Sequence, residues 1–178
     1  MQRDQVATAD LSSARETAFR DLAEQHLDAG YRLAHVILGN PADAQDATHD
    51  AFVQAWRRWP SLRDHTKSAQ WFDRILVNIC RDRLRRTTRW RTQDLSADLA
   101  ARGGDPADAA LDRDVIGLAL ARLSPDHRVV VVLRFYRDLP AEEIARILGI
   151  RVGTVHSRLH YALQRLRVVL DADKDMDQ

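Results

Sequence analysis

The feature that most constrains this chain is the segment LPAEEIARILGIRVGTVHSRLHYALQRLR at positions 139–167. Pro140 and the two glutamates that follow it favour the start of a helix, and Gly149 favours its end in a left-handed backbone conformation. Apolar residues recur at three- and four-residue spacing on both sides of that glycine, which indicates two short amphipathic helices joined by a tight turn. In a helix-turn-helix of this kind, the second helix enters the major groove of DNA.

The charge of the same segment also indicates a nucleic-acid surface. No acidic residue lies between Glu143 and Asp171, whereas five arginines do. A surface that faces phosphates has this composition because carboxylates would repel the DNA backbone. His156 and His160 could share a metal, but no third ligand lies near them in sequence, so contact with a base, a phosphate or solvent is the better interpretation. The residues predicted to face DNA are Arg151, Thr154, His156, Ser157, Arg158, His160 and Tyr161.

Composition limits the class of protein. The 178 residues are 30% charged and only 6% aromatic, which favours helical domains with small cores. Only Lys67 and Lys174 among the 27 basic residues are lysine, and arginine suits phosphates and guanine edges, although a GC-rich genome gives the same bias. One cysteine excludes a disulfide framework and a cysteine zinc site. No segment has the length and apolarity of a membrane span or a signal core, so we expect a cytoplasmic protein.

Hydrophobic periodicity predicts an all-α fold made of two small helical domains joined by a flexible acidic linker. The predicted order is a disordered leader at 1–17, a three-helix domain at 18–91, the linker at 92–111, a helix-turn-helix domain at 112–170 and an acidic tail at 171–178. The run VVVVL at 129–133 has the composition of a strand, but the Ser-Pro start signal before it favours helix. The buried stripe of the first helix is predicted at Ala23, Leu27, Tyr31, Ala34 and Leu38, and Leu163 is predicted on the buried side of the last helix.

Two further helices of the first domain carry candidate functional residues. In WFDRILVNICRDRLRR, positions 71–86, a stripe changes from apolar to polar along its length and is followed by more arginines and Trp90. Arginines with an aromatic residue suit a DNA backbone or unstacked bases, whereas a solvated helix end would also favour cations. The helix before it bears Asp43, Asp46 and Asp50 beside His49. A metal or acid–base site is conceivable there, but no partnering base, phosphate loop or nucleophile motif accompanies it, so a solvated or protein-binding face is preferred.

These residues together resemble bacterial RNA polymerase sigma factors of the sigma-70 family, specifically the extracytoplasmic-function (ECF) group, which contains only regions 2 and 4. The similarity covers about residues 18–91 and 112–168. Its most specific part is the L-S-P start, E-I-A, L-G-I and G-T-V-x-S-R at fixed intervals near the C-terminus. The resemblance implies a DNA-binding transcription factor without catalytic activity or cofactor. Such a factor binds core RNA polymerase, directs promoter-specific initiation, helps melt the promoter DNA, and is held by an anti-sigma factor.

The resemblance also implies roles for individual residues. The core-polymerase-binding set is Asp43, Asp46, His49, Asp50, Phe52 and Trp56. The set that reads and melts the minus-ten element is Arg63, His65, Lys67, Trp71, Asn78, Arg81, Asp82, Arg85 and Arg86, with the 61–68 loop holding a flipped base. The residues already predicted at 151–161 read the minus-thirty-five element. His49 replaces a usual glutamine, Pro140 and Arg151 replace common capping serines, and His156 and Tyr161 replace common Lys or Arg.

Two alternatives remain at this point. A stand-alone helix-turn-helix regulator with an N-terminal sensor domain would form dimers and bind palindromic half-sites, although the arginine-aromatic helix argues against it. A metal-dependent enzyme would use the aspartates at 43–50 and His49.

Overall fold

The computed structural model describes the backbone of residues 2–93 and 111–176, and the side chains of 15–89 and 115–169. Throughout these ranges the chain folds into helices and short connections, which confirms the all-α prediction. The α-helices are α1 Gln2–Leu38, α2 Pro41–Arg58, α3 Ser68–Gln93, α4 Leu111–Ala121, α5 Pro125–Val131, α6 Ala141–Leu148 and α7 Val152–Met176. Two 3₁₀ turns, Trp59–Ser61 and His65–Lys67, connect α2 to α3, and a π-helical turn at Val132–Tyr136 continues α5. No described helix is long and apolar enough to cross a membrane.

The first domain consists of α1, α2 and α3, each packed against the other two. The side chain of Asn40 accepts a hydrogen bond from the backbone of Asp43 at 3.0 Å, and Pro41 begins α2, as the Asn-Pro pair predicts. The buried face of α2 is built mainly from small residues, which lets the neighbouring helices approach closely. Its buried side chains are Ala44, Ala47, Thr48, Ala51 and Ala55.

The structure differs from two predictions for α1. The range predicted as a disordered leader is helical from Gln2, because no glycine or proline interrupts the chain before Gly30. The predicted stripe is correct at Ala34, which is fully buried, but wrong at Leu27 and Tyr31, which are exposed, whereas Leu33 and Ile37 are fully buried. Gly30 lies on the buried face, where the absence of a β-carbon lets α1 approach the rings and side chains of Phe72 and Leu76 on α3.

The second domain consists of α4 to α7. The Ser124 hydroxyl caps α5, and the valine run is helical as predicted. Gly149 ends α6 with φ +66°, in the left-handed conformation that the helix-turn-helix requires. Leu163 was predicted to be buried but is 44% exposed. The last helix, α7, extends into the predicted acidic tail as far as Met176, and most of the predicted linker lies outside the described residues.

The two domains pack against each other. Helix α3 of the first domain contacts α5 and α6 of the second, and the π-helical turn contacts α1. Buried apolar side chains of both domains form one continuous cluster, which includes Leu76 and Val77 from α3 together with Val129 and Ile144 from the second domain. The closed arrangement, as we name this packing of the two domains, places the candidate DNA-reading helices α3 and α7 in one compact unit.

Candidate nucleic-acid interface

The first part of α7 presents a polar surface on one side and a core surface on the other. Val155 and Ala162 are fully buried against the rest of the second domain. The predicted DNA-facing positions that are exposed are Arg151, His156, Ser157, His160 and Tyr161. Tyr161 is 60% exposed, and its ring meets that of His160 edge to face at 5.7 Å. Two imidazoles, a phenol and a hydroxyl therefore stand on one outward surface, where each can donate or accept a hydrogen bond.

Arg158 differs from these neighbours because it is turned inward. Its Nη2 donates to the Asp126 carboxylate at 3.1 Å. Its Nη1 is buried and has no hydrogen-bond partner among the described residues. A buried donor without a partner costs about 1–3 kcal/mol. The guanidinium is therefore incompletely satisfied in the closed arrangement.

Helix α3 divides its predicted DNA-reading residues between two environments. Asp82 and Arg86 are exposed, and Asn78 donates to the carbonyl oxygen of Arg74 at 2.8 Å. Arg81 instead donates to the carbonyl oxygen of Leu148 at 3.3 Å, and Arg85 donates to both oxygens of Asp126 at 2.8 and 2.9 Å. The last two arginines are thus engaged by the second domain.

The connection between α2 and α3 forms an open cleft of about 330 Å³. Its lining residues are Arg15, Ala18, Trp59, Pro60, Leu62 and His65. The centre of the His65 ring lies 5.0 Å from that of Trp59, and the centre of the Trp71 ring lies 6.0 Å from that of Trp59. Trp59 is only 4% exposed and the guanidinium of Arg15 donates to the carbonyl oxygen of Trp56, so His65 is the exposed ring of this cleft.

Asp64 fixes the shape of this connection. Its carboxylate accepts hydrogen bonds from the hydroxyl and backbone N–H of Thr66 and lies 3.2 Å from Nζ of Lys67. The Thr66 hydroxyl is the main cause that lowers the pKa of Asp64, and Lys67 adds to it. The predicted residues Arg63, His65 and Lys67 are all exposed around this turn.

The acidic residues of α2 form an exposed face that is tied to α3. Asp43, Asp46, His49 and Asp50 are exposed, and Arg83 of α3 lies 2.6 Å from Asp50 and 3.8 Å from Asp46. Within the described side chains, no group of three His, Cys, Asp or Glu residues could hold a metal ion. The arrangement is an ion-paired surface.

The two aromatic residues predicted to meet the polymerase are less available than this acidic face. The ring of Phe52 stacks on that of Phe72 at 4.3 Å, inside the first domain. Trp56 is half-buried, and the guanidinium of Arg15 lies 4.3 Å from the centre of its ring. Packing within the domain accounts for both aromatic side chains.

The residues that join the two domains were missed by reasoning from the sequence. Arg137 forms an ion pair with Asp73, and Arg128 donates to the carbonyl oxygen of Ile37 at 3.2 Å. Asp126 joins Arg85 across the two domains and also binds Arg158 within the second domain. The partners across the domains lie 41 to 91 residues apart, so no spacing rule could have found them.

Comparison with known proteins decides the family. The family model for sigma-70 region 2 matches residues 22–91, and that for sigma-70 region 4 matches residues 119–168. The ECF RNA polymerase sigma factor SigL of Mycobacterium tuberculosis is 35% identical over 164 residues, which cover 89% of this chain and 92% of SigL. The chain belongs to the ECF sigma factors. Its two domains are therefore region 2 and region 4, and it directs promoter-specific initiation by RNA polymerase as an initiation factor rather than an enzyme.

Other relatives and solved structures agree with this assignment. The ECF sigma factor SigW of Bacillus subtilis is 31% identical, and the alignment covers 85% of this chain and 88% of SigW. The sigma factor RpoE of Bartonella quintana, solved with the anti-sigma factor NepR, superposes with a TM-score of 0.69 at 26% identity, covering 87% of this chain and 98% of that one. CnrH, solved with the cytosolic domain of CnrY, superposes with a TM-score of 0.64 at 26% identity, and the match covers 96% of this chain and 98% of CnrH. The match to region 2 makes the stand-alone regulator and the metal-dependent enzyme wrong.

Proposed function

We propose that this ECF sigma factor reads the minus-thirty-five element with the start of α7 and the minus-ten element with α3 and the 61–68 loop. The observation that carries this proposal is the outward surface of α7, where exposed polar side chains occur without a carboxylate. We assign region 2 to residues 18–91 and region 4 to 112–170. The chain at 92–111 joins them, and 1–17 and 171–178 flank them.

In region 4, the exposed residues of α7 differ in what they can read. His156 and His160 can each donate or accept a hydrogen bond at a base edge, and Ser157 can do the same with its hydroxyl. Tyr161 offers an apolar ring face that can contact a thymine methyl group. Arg151 and Thr154 lie at the helix start, where phosphate contacts are common. We propose that Arg158 contacts a base or a phosphate after its ion pair with Asp126 breaks.

In region 2, the cleft beside the 61–68 loop is the place we assign to a flipped minus-ten base. His65 would stack on or flank the base, and the exposed Arg63 and Lys67 would hold its phosphates. Extruding a base costs a few kcal/mol of stacking energy, and these contacts would offset part of that cost. Trp71, Asn78, Asp82 and Arg86 continue from this cleft along α3, so they are placed to follow the separated strand, together with Arg81 and Arg85.

We assign core-polymerase binding to the acidic face of α2. Asp43, Asp46, His49 and Asp50 offer carboxylates and an imidazole to a basic partner surface. Arg83 holds two of these carboxylates from behind, which keeps the face in one conformation. Phe52 and Trp56 support that face from inside the domain and contribute through packing.

We also propose that the protein acts in the cytoplasm, where the polymerase is, and that a dedicated anti-sigma factor binds it. The sigma factor RpoE was solved with the anti-sigma factor NepR. This supports such a partner here, and expression of the neighbouring gene together with this one would identify it.

The experiment that tests the promoter-reading proposal is transcription from a genomic fragment library with core polymerase and the purified protein. We expect transcripts from a limited set of promoters that share two sequence elements. His156→Ala should then lower initiation at these promoters by about tenfold if it makes one good base contact, worth about 1–3 kcal/mol. His35→Ala on the exposed side of α1 is the matched control and should leave initiation unchanged. Equal activity of the two variants would remove His156 from the reading surface.

A further inference from the structure

Two side chains near the start of α1 pack against the end of α2, although they precede the part of the chain that the region 2 family model matches. That match begins at residue 22, and Arg15 and Phe19 lie one to two turns earlier on the same helix. Arg15 even falls in the range predicted as a disordered leader. Its contacts show that this part of α1 belongs to the folded domain.

Arg15 holds the last turns of α2. Its Nη2 donates to the carbonyl oxygen of Trp56 at 2.9 Å, and its guanidinium carbon lies 4.3 Å from the centre of the Trp56 ring. A single side chain therefore restrains both the backbone and the ring of the same residue. Nε of Arg15 is buried without a hydrogen-bond partner among the described residues, so this guanidinium is part of the packing and is not a solvated surface charge.

Phe19 extends this support to Trp59. The centre of its ring lies 5.0 Å from that of Trp56 and 5.3 Å from that of Trp59, with both pairs in edge-to-face geometry. Aromatic rings in this geometry attract each other beyond the effect of the area they bury. Trp59 is only 4% exposed, so its position is set by these neighbours.

Trp59 is in turn the ring against which His65 lies, with 5.0 Å between the two ring centres. His65 begins the 3₁₀ turn that the Asp64 side chain caps, and its imidazole is exposed. Arg15, Trp59 and His65 all line the cleft between α2 and α3. The contacts therefore form a chain from the start of α1 to the exposed ring of this cleft.

We propose that Arg15 and Phe19 are positioning residues for minus-ten recognition, which hold His65 in place through Trp56 and Trp59. The inference rests on the proposed function, because it takes His65 as the ring that flanks the flipped base. A ring that is fixed before DNA arrives needs no ordering when the base enters. Loss of this support should therefore weaken promoter opening, whereas the acidic face of α2 keeps its own contacts with polymerase.

The positioning step is measured by NMR in the free full-length protein. The ring current of Trp59 displaces the ring-proton resonances of His65, which are assigned by their absence in His65→Gln. We expect Arg15→Gln and Phe19→Leu to reduce this displacement, and Arg15→Lys to retain most of it because it keeps the positive charge. Arg20→Gln is the matched control, since Arg20 is exposed on α1 and the change in charge is the same. Urea unfolding checks that each variant is folded under these conditions.

The functional step is measured with core polymerase on a promoter recovered from the library experiment, as the reactivity of unpaired thymines to permanganate. We expect Arg15→Gln and Phe19→Leu each to lower the amount of open complex about fivefold, which corresponds to about 1 kcal/mol. Affinity for core polymerase, measured by fluorescence anisotropy of the labelled factor, should stay close to that of the wild type. Arg15→Lys should restore most of the opening, and Arg20→Gln should not change it.

A double variant separates positioning from general stability. His65→Ala should lower opening by itself, and addition of Arg15→Gln to it should cause little further loss, because both changes act on the same contact. Additive losses, or a loss of core binding equal to the loss of opening, would overturn the inference. Unchanged His65 resonances in Arg15→Gln and Phe19→Leu would do the same.

The proposed function is tested separately by His65→Ala alone. If this variant opened the promoter as well as the wild type does, the proposed role of His65 would fail and the inference would fail with it. If His65→Ala impaired opening while Arg15→Gln and Phe19→Leu did not, only the inference would fail.

Discussion

The substitution of Gly30 by alanine tests the close approach between α1 and α3. A β-carbon at this position would lie 3.1 Å from Cε1 and 3.7 Å from Cζ of Phe72, and 3.4 Å from Cδ2 of Leu76. The ring of Phe72 is fully buried and stacked on Phe52, so it has little room to move. The new methyl group therefore forces α1 and α3 apart by a few tenths of an ångström.

The expected magnitude is the difference of two terms. Overpacking a well-packed core costs about 1–3 kcal/mol. Replacing glycine by alanine inside a helix returns about 1 kcal/mol of helix propensity. We therefore expect Gly30→Ala to lower the free energy of unfolding by about 1 kcal/mol.

The assay is urea unfolding of the full-length protein, followed by tryptophan fluorescence. This signal reports on the first domain, because all four tryptophans lie in α2, α3 and the connection between them, namely Trp56, Trp59, Trp71 and Trp90. The contribution of helix propensity is measured separately at Gln25, which is exposed on the same helix. It is the difference in the free energy of unfolding between Gln25→Ala and Gln25→Gly. If Gly30→Ala stabilised the domain as much as alanine does over glycine at position 25, the close approach at Gly30 would not restrain the packing.

Two further predictions concern other single sites. Burial raises the pKa of the Cys80 thiol to about 12. A disulfide reagent at pH 8 should therefore label the folded protein far more slowly than the urea-unfolded protein. Equal labelling rates would contradict the buried position of Cys80. Gly149→Ala should destabilise the helix-turn-helix by about 1 kcal/mol, because φ is +66° and nothing within 4 Å of the new methyl group adds a clash. Thermal unfolding of both variants measures this loss. Gly149→Asn should lose less stability than Gly149→Ala, since asparagine tolerates this conformation.

Local features of the fold could be predicted from the sequence because their causes lie within a few residues. The start of α2 at Asn40-Pro41 depends on a hydrogen bond between residues three apart. The turn at Gly149 depends on the backbone freedom of one residue. The helical state of the valine run follows from the cap at Ser124, which lies directly before it. In each case a chemical rule for neighbouring residues was sufficient.

Features that depend on a partner element could not be predicted in this way. Helix α1 carries apolar residues on more than one face, and its packing against α2 and α3 determines that Leu33 is buried while Leu27 is exposed. The role of Arg83 was also missed, because its carboxylate partner Asp50 lies 33 residues away. Asp126 lies in the first turn of α5, where the helix dipole favours an acidic residue. Its position in the sequence therefore gives no sign of its partner Arg85.

The charge of this protein is nearly balanced, and the same contacts bring some of the opposite charges together. A DNA-binding chain with 27 basic residues carries 26 acidic ones, for a formal net charge of +1. Several of these carboxylates pair with arginines of α3 and α7, so they neutralise the surfaces that DNA would otherwise attract. Asp50 does this with Arg83 within region 2, and Asp126 does it with Arg85 across the domains. Pairing of this kind lowers the affinity for DNA of any sequence, because a free basic surface would bind any duplex by releasing counterions.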